Sequence, residues 1–163
     1  MYLPKQFQID DKTTIHRLIK ENGFATLFSQ HKVHPYATHL PLTINEDGNC
    51  LYGHLARANK QWTDIVEQEV LAVFQGPHCY ISPSWYETDR AVPTWNYVAV
   101  HVYGKVEILE GTELMNTLRD LVLKYEDRKS SYKYDQVDVR FLEGMTKGIV
   151  GFKIKISSFG QEK

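Results

Sequence analysis

The chain has 163 residues, 42% hydrophobic and 24% charged, enough to bury one core of ordinary domain size but not a second full domain. Nineteen Lys and Arg against twenty Asp and Glu leave a formal charge of -1, so no long-range field draws it onto phosphate backbones or anionic lipid. The apolar stretch Val98 to Val102 is far shorter than the roughly 20 residues that cross a bilayer, and the opening MYLPKQFQIDD has no apolar secretory core, so a cytoplasmic protein without membrane attachment is expected. In chain order, Asp10 or Asp11 caps a first helix whose Ile15, Leu18 and Ile19 share a face and which stops at Gly23. Strands follow over Phe24–Ser29, Tyr36–Ile44 and Cys50–Leu55, the last beyond the turn Asn45-Glu46-Asp47-Gly48, giving an antiparallel meander. After a helical turn over Asn59–Ile65 come strands Val70–Gln75, Cys79–Ser82 and Trp95–Leu109. The last of these is apolar or aromatic on both faces, as suits a central strand that also forms a dimer face.

The spacing of Leu114, Leu118, Leu121, Val122 and Tyr125 predicts a helix over Thr112–Tyr125 with one apolar stripe packed on the sheet. Glu126–Tyr134 is a loop by composition, Val137–Met145 a short helix, and Gly148–Ile156 a half-buried strand. In that strand Val150, Phe152, Ile154 and Ile156 face one way, and Lys153 and Lys155 the other. Short strands with two or three helices make the chain, over residues 1–163, a single α+β domain built on an antiparallel Greek-key or split β-barrel.

Three segments are denser in functional residue types than a structural role requires: Ala37–Leu42, Gly53–Trp62, and Tyr80–Tyr86 with Pro93–Tyr97. In the second, His54, Arg57, Asn59 and Lys60 run from a strand end into a helical turn, a pattern that suits a phosphate monoester. A solvated, capped turn is the alternative. His31, His34, His39 and His54 raise the question of a metal, but no carboxylate or Cys stands at a matching offset, and hydrogen-bonded histidines explain them better. His31 and His34 flank a hairpin turn, while His39 and His54 fall on neighbouring strands. Cys50 and Cys79 lack any CxxC spacing and read as buried small hydrophobes. Ser82 and Ser84 lie in no nucleophile elbow, so no catalytic residue is assigned. Trp85, Tyr86, Trp95 and Tyr97 alternate with Ser82, Ser84, Thr94 and Asn96. Flat apolar surface bordered by polar groups suits a planar heteroaromatic ligand, a subunit interface, or core.

The motifs Met1-Tyr2-Leu3-Pro4, Ala37–Leu42, Gly53–Trp62, Phe74–His78, Tyr80–Tyr86, Val92-Pro93-Thr94-Trp95-Asn96-Tyr97, Val100–Lys105 and Lys147–Lys153 together resemble the PaiB family of FMN-binding split-barrel proteins. That family is described as negative transcriptional regulators of sporulation and protease production. The resemblance covers nearly all of the chain. It implies a homodimer of barrels similar to pyridoxine-phosphate oxidase, with FMN at the subunit boundary. Thr38, His39 and Leu40 would lie beside the isoalloxazine, His54, Leu55 and Ala56 would run along the flavin, and Arg57, Asn59 and Lys60 would hold the phosphate. Ser82, Trp85, Trp95 and Asn96 would close the pocket. The family has Pro where Lys60 stands and continues past Lys163 with a Lys-Leu-Ser-Gln-Asn tail. DNA is the partner that the regulatory label suggests, yet neither charge nor a helix-turn-helix supports it; Lys129, Lys133, Lys153 and Lys155 are the candidate contacts. The competing classes are an FMN-dependent oxidoreductase or flavin reductase, and a haem-binding or plain dimeric binding module using His39, His54 or His101.

Overall fold

Asp11 opens α1 (Lys12–Glu21) by accepting from the backbone N–H groups of Thr13 and Thr14 and from the Thr14 hydroxyl. These bonds satisfy donors that the first turn leaves without intrahelical partners. The helix sends Ile15 and Ile19 into the core and ends where Asn22 donates back to the Leu18 carbonyl. This computed structural model describes residues 4–127 and 129–160; Met1–Leu3 of the family motif and Arg128 of the predicted loop lie outside them.

Seven strands follow: β1 (Phe24–His31), β2 (His34–Pro41), β3 (Thr43–Ile44), β4 (Cys50–Ala56), β5 (Glu69–Ile81), β6 (Thr94–Leu109) and β7 (Ile149–Phe159). They form one sheet in the order β2-β1-β5-β6-β7-β4-β3, antiparallel at every pairing. The expected strand Tyr36–Ile44 is two strands. Leu42, wholly buried, carries the chain from one edge of the sheet to the other, and its N–H donates to the Gly23 carbonyl. Since β2 and β3 are the two outer strands and a single residue separates them, the sheet must curl until its edges meet, which makes it a barrel. Gly53 on β4 permits the close approach, because a Cβ there would stand 2.6 Å from Leu42 Cδ2 and 3.2 Å from the Pro41 carbonyl oxygen.

The segments Val70–Gln75 and Cys79–Ser82 are parts of one strand, with a register shift between Gln75 and His78. Pro77 has no N–H to give the ladder, so the strand slips there and continues. Inside the barrel, Ala25, Leu27, Leu40, Leu51, Leu55, Val70, Ala72, Phe74, Val102, Phe152 and Ile154 interlock as the core.

Two further helices lie outside the sheet: α2 (Gly111–Tyr125) and α3 (Val139–Thr146). In α2, Leu114 sits over Gly151, so closely that a Cβ there would collide with its methyl group. Leu118, Leu121 and Val122 are only half-buried and Tyr125 is exposed, so the apolar stripe extends past the surface that it covers. Asp138 caps α3 by accepting from Phe141 N–H at 2.9 Å.

Candidate functional site

On the outer face of β2, β1, β5 and β6, the ladder registers place His39, Thr26, Val73 and His101 in one row across four strands, and Phe28, Leu71 and Tyr103 in the next. Thr26 Oγ1 and His39 Nδ1 are 2.9 Å apart, and the His39 ring stacks on the exposed Phe24. Beside these rows is an open hollow of about 440 Å³ lined by Phe28, Gln30, Gln68, Leu71 and Tyr103 among others. Large apolar groups on an uncovered sheet face mark a surface that another body covers.

This face runs into a projecting ribbon. Beyond the slip at Pro77, His78–Ile81 pair with Thr94–Tyr97, and the ribbon's aromatic residues remain in solvent: Trp85 is 68% exposed, Trp95 61% and Tyr97 62%. Tyr80 meets Trp95 edge to face with centroids 6.0 Å apart, and His78 lies over the same indole. Ser82 and Asn96 are the polar border: Ser82 Oγ accepts from Ser84 N–H and lies 2.8 Å from Ser84 Oγ, while Asn96 pairs with Cys79 across the ribbon. Cys79 is therefore exposed and Cys50 half-buried, not the buried pair that composition suggested. A two-stranded ribbon has no core to hide Cys79 in, and Cys50 stands at the first position of β4.

The polar turn forms from residues far apart in sequence. Asn59 donates from Nδ2 to Thr38 Oγ1 at 2.9 Å, which joins the end of β4 to the middle of β2, and its Oδ1 accepts from Gln61 N–H. Gln61 lies in the 3-10 turn Lys60–Thr63. Arg57 donates from Nε to the Lys147 carbonyl at 2.8 Å and from Nη2 to the Ile149 carbonyl at 2.7 Å, with its guanidinium over Trp62. Among the described residues, Nη1 has no acceptor. Asp64, close by in the chain, does not pair with Arg57: its Oδ2 lies 3.1 Å from His31 Nδ1 and accepts from Lys32 N–H. Lys60 and Ala56 are exposed, whereas Leu40 and Leu55 point into the core and offer a ligand only their backbone.

The histidines are scattered. His31 and His34 flank the β1–β2 turn as the spacing implied. His39 and His54 do not sit on neighbouring strands, because β2 pairs with β1 and β4 pairs with β7 and β3. His54 lies across from Gly151, with its Nδ1 buried and unpartnered. Burial lowers the pKa of His54, and likewise that of His101, whose Nδ1 is also buried without a partner. Both rings are therefore neutral near pH 7. Among the described residues, no three His, Cys, Asp or Glu side chains converge as a metal site.

The structure thus joins Thr38 with Asn59, and sets Arg57 and Lys60 beside them in the chain. It puts Ser82, Trp85, Trp95 and Asn96 elsewhere. Strand β5 runs antiparallel to β6, and β4 to β7, so the ribbon leaves the end of the sheet where β7 finishes, while the Arg57 turn lies at the end where β7 starts. Three residues outside the expected set belong with it. Phe24 and Phe28 were detectable, since they alternate with Ala25 and Leu27 and make β1 apolar on both faces. Gln61, fully buried, had no such signal.

A family model described as "Putative FMN-binding domain" matches residues 1–158. The Bacillus subtilis protein named "Protease synthase and sporulation protein PAI 2" is 44% identical over 160 residues, which cover 96% of this chain and 77% of that one. Among solved structures, the flavocytochrome Anf3 from Azotobacter vinelandii superposes with a TM-score of 0.71 at 14% identity, over 97% of this chain and 70% of its own. A "Putative Pyridoxamine 5'-phosphate oxidase" from Listeria innocua does so with a TM-score of 0.55 at 11% identity, over 91% and 94%. At these identities the structures speak for the fold alone, a split barrel. Together with the family model and the Bacillus relative, that fold leads to one assignment: the chain belongs to the FMN-binding domain family, among its PaiB-type proteins.

Proposed function

We propose that this protein binds FMN between two copies of its barrel and acts as a PaiB-type negative regulator of transcription, bearing on protease production and sporulation. The observation that carries the flavin part is the sheet face with exposed Phe24 and Phe28, together with the exposed aromatic ribbon. A planar ring system fits such a surface, with Thr38, His39 and the backbone at Leu40 on one side. His54 to Ala56 follow its length. Arg57 with its uncommitted Nη1, Asn59 and Lys60 take the phosphate. Ribbon and turn stand at opposite ends of the sheet in one chain, so a two-fold partner brings Trp85, Trp95, Ser82 and Asn96 to close the pocket.

An FMN-dependent oxidoreductase or flavin reductase is the second reading, and one observation favours it over direct regulation. The half-buried Lys153 and the exposed Lys155 of β7 are held by Glu107 and Glu113 at 2.6 to 3.5 Å, so these candidate DNA contacts are neutralised. Bound FMN supplies hydride or single-electron transfer, while this chain's residues hold the ring and phosphate and keep solvent off the ring. An absorbance spectrum before and after adding FMN tests the proposal. Flavin bands that shift on binding support it, and a Soret band without flavin uptake replaces it with a haem-binding module. Oxidation of NAD(P)H by the flavin-loaded protein selects the oxidoreductase.

A further inference from the structure

Among the groups that the proposed site does not use, Gln61 is the most unusual. Its side chain is wholly buried, a rare place for an amide. Nε2 donates to the Leu27 carbonyl at 3.1 Å and to Ser29 Oγ at 3.0 Å, both on β1, while Oε1 finds no donor. Turning the amide over would set oxygen against the Leu27 carbonyl, so the bonds define its orientation. One residue earlier in the network, Asn59 accepts from the backbone of Gln61 and donates to Thr38. Thr38 and Leu27 face each other across the β1–β2 ladder. The 57–61 turn is thus pinned at two points to a single register position of the barrel wall, once through Asn59 and once through Gln61.

An apolar side chain of the same length would fill this space and remove the unmet Oε1, but would take a donor from the Leu27 carbonyl and Ser29 Oγ, so gain and loss in stability offset each other in part. The amide's contribution is to the location of the turn. We infer that Gln61 is a positioning residue for the phosphate end of the flavin site: it sets where Arg57, Asn59 and Lys60 stand relative to β2 and touches no part of the ligand. This rests on the flavin reading above.

The test is titration of wild type and Gln61→Met with FMN and with riboflavin, followed by flavin fluorescence, with thermal melts of both proteins. The expected result is an FMN affinity weakened roughly tenfold, riboflavin affinity within about twofold of wild type, and a folded variant, because only the phosphate depends on the turn. Equal losses for both flavins, or no loss, overturn the inference. Should Gln61→Met fail to fold, Ser29→Ala removes one of the two acceptors at a half-buried site and is read in the same way: a smaller loss selective for FMN supports the inference, and an unselective loss or none overturns it. Wild-type protein that binds neither flavin overturns the flavin reading and this inference together, whereas normal wild-type binding with an unaltered FMN-to-riboflavin ratio in the variants overturns this inference alone.

Discussion

Arg57 reaches the Lys147 carbonyl at 2.8 Å across ninety positions of sequence, and so ties the end of β4 to the turn between α3 and β7. The same guanidinium is the strongest candidate for the phosphate. Its two tasks give separable outcomes. In Arg57→Ala, loss of the backbone contacts lowers stability by about 1 kcal/mol, the exposed setting keeping the figure small. Loss of the phosphate contact weakens FMN by roughly 10- to 150-fold and leaves riboflavin nearly unchanged. Parallel flavin titrations and urea melts distinguish the two, and equal losses for both flavins would make Arg57 purely structural.

The exposed ribbon leads to a second expectation. Trp95 and Tyr97 at more than half exposure are costly to leave in water, and an isologous dimer that covers them and the sheet face with Phe24 and Phe28 buries well over about 2,000 Å² in total. Light scattering at micromolar concentration should report a dimer, and Tyr97→Asp should shift it to monomer while weakening flavin. A monodisperse wild-type monomer would contradict both the dimer and the shared pocket.

Duplex DNA should bind weakly and without marked sequence preference. The contacts of Glu107 and Glu113 with Lys153 and Lys155 are the physical reason, and they also hold the Glu107 carboxyl below its usual range. Glu107→Gln with Glu113→Gln releases both lysines, so the slope of log K against log salt should steepen by about 0.9 for each phosphate newly neutralised. A spaced half-site footprint from the wild-type chain at physiological salt would contradict this.

Acid should destabilise the protein through two half-buried imidazoles. Burial depresses the pKa of His54 and His101, so as pH falls through about 6.5 the unfolded chain takes up protons before the folded one. Their contribution is complete above that pH and is lost progressively below it. Urea midpoints measured from pH 7.5 down to 5 should fall, and His54→Gln should flatten part of the slope. An unchanged slope in the variant would mean that His54 titrates normally in the folded chain.

The barrel seam offers a test of packing. Gly53→Ala places a methyl group against Leu42 and the Pro41 carbonyl, and should cost about 1–3 kcal/mol in denaturant midpoint. A neutral substitution would show that the two sheet edges stand further apart.

Local chemistry made much of this fold legible. The Asp11 cap, the turn ending in Gly48 with φ 69 and the alternation from Val150 to Ile156 all act within a few residues, and each element appears where its signal lies. What sequence could not reveal is which edges meet. Leu42 carries no turn residue, yet the chain changes sheet edge there. Pro77 looks like a break and is only a slip. His39 and His54 have the spacing of adjacent strands, but closure of the barrel assigns them other partners. The site was legible to the same degree. The Gly53–Trp62 segment was visible as a polar turn, while its attachment to Thr38 and its dependence on Gln61 arise from tertiary pairing alone.

The junction at Leu42 also bears on how the protein limits edge-to-edge strand pairing between molecules. Every open sheet ends in two strands with unpaired N–H and C=O groups, and such edges recruit strands from other molecules. Here both edges belong to one continuous stretch, β2 running through Leu42 into β3, so neither can swing away without dragging the other. A single proteolytic cut at that residue would remove the tether without breaking a ladder, turning one closed barrel into a curved sheet with two sticky borders.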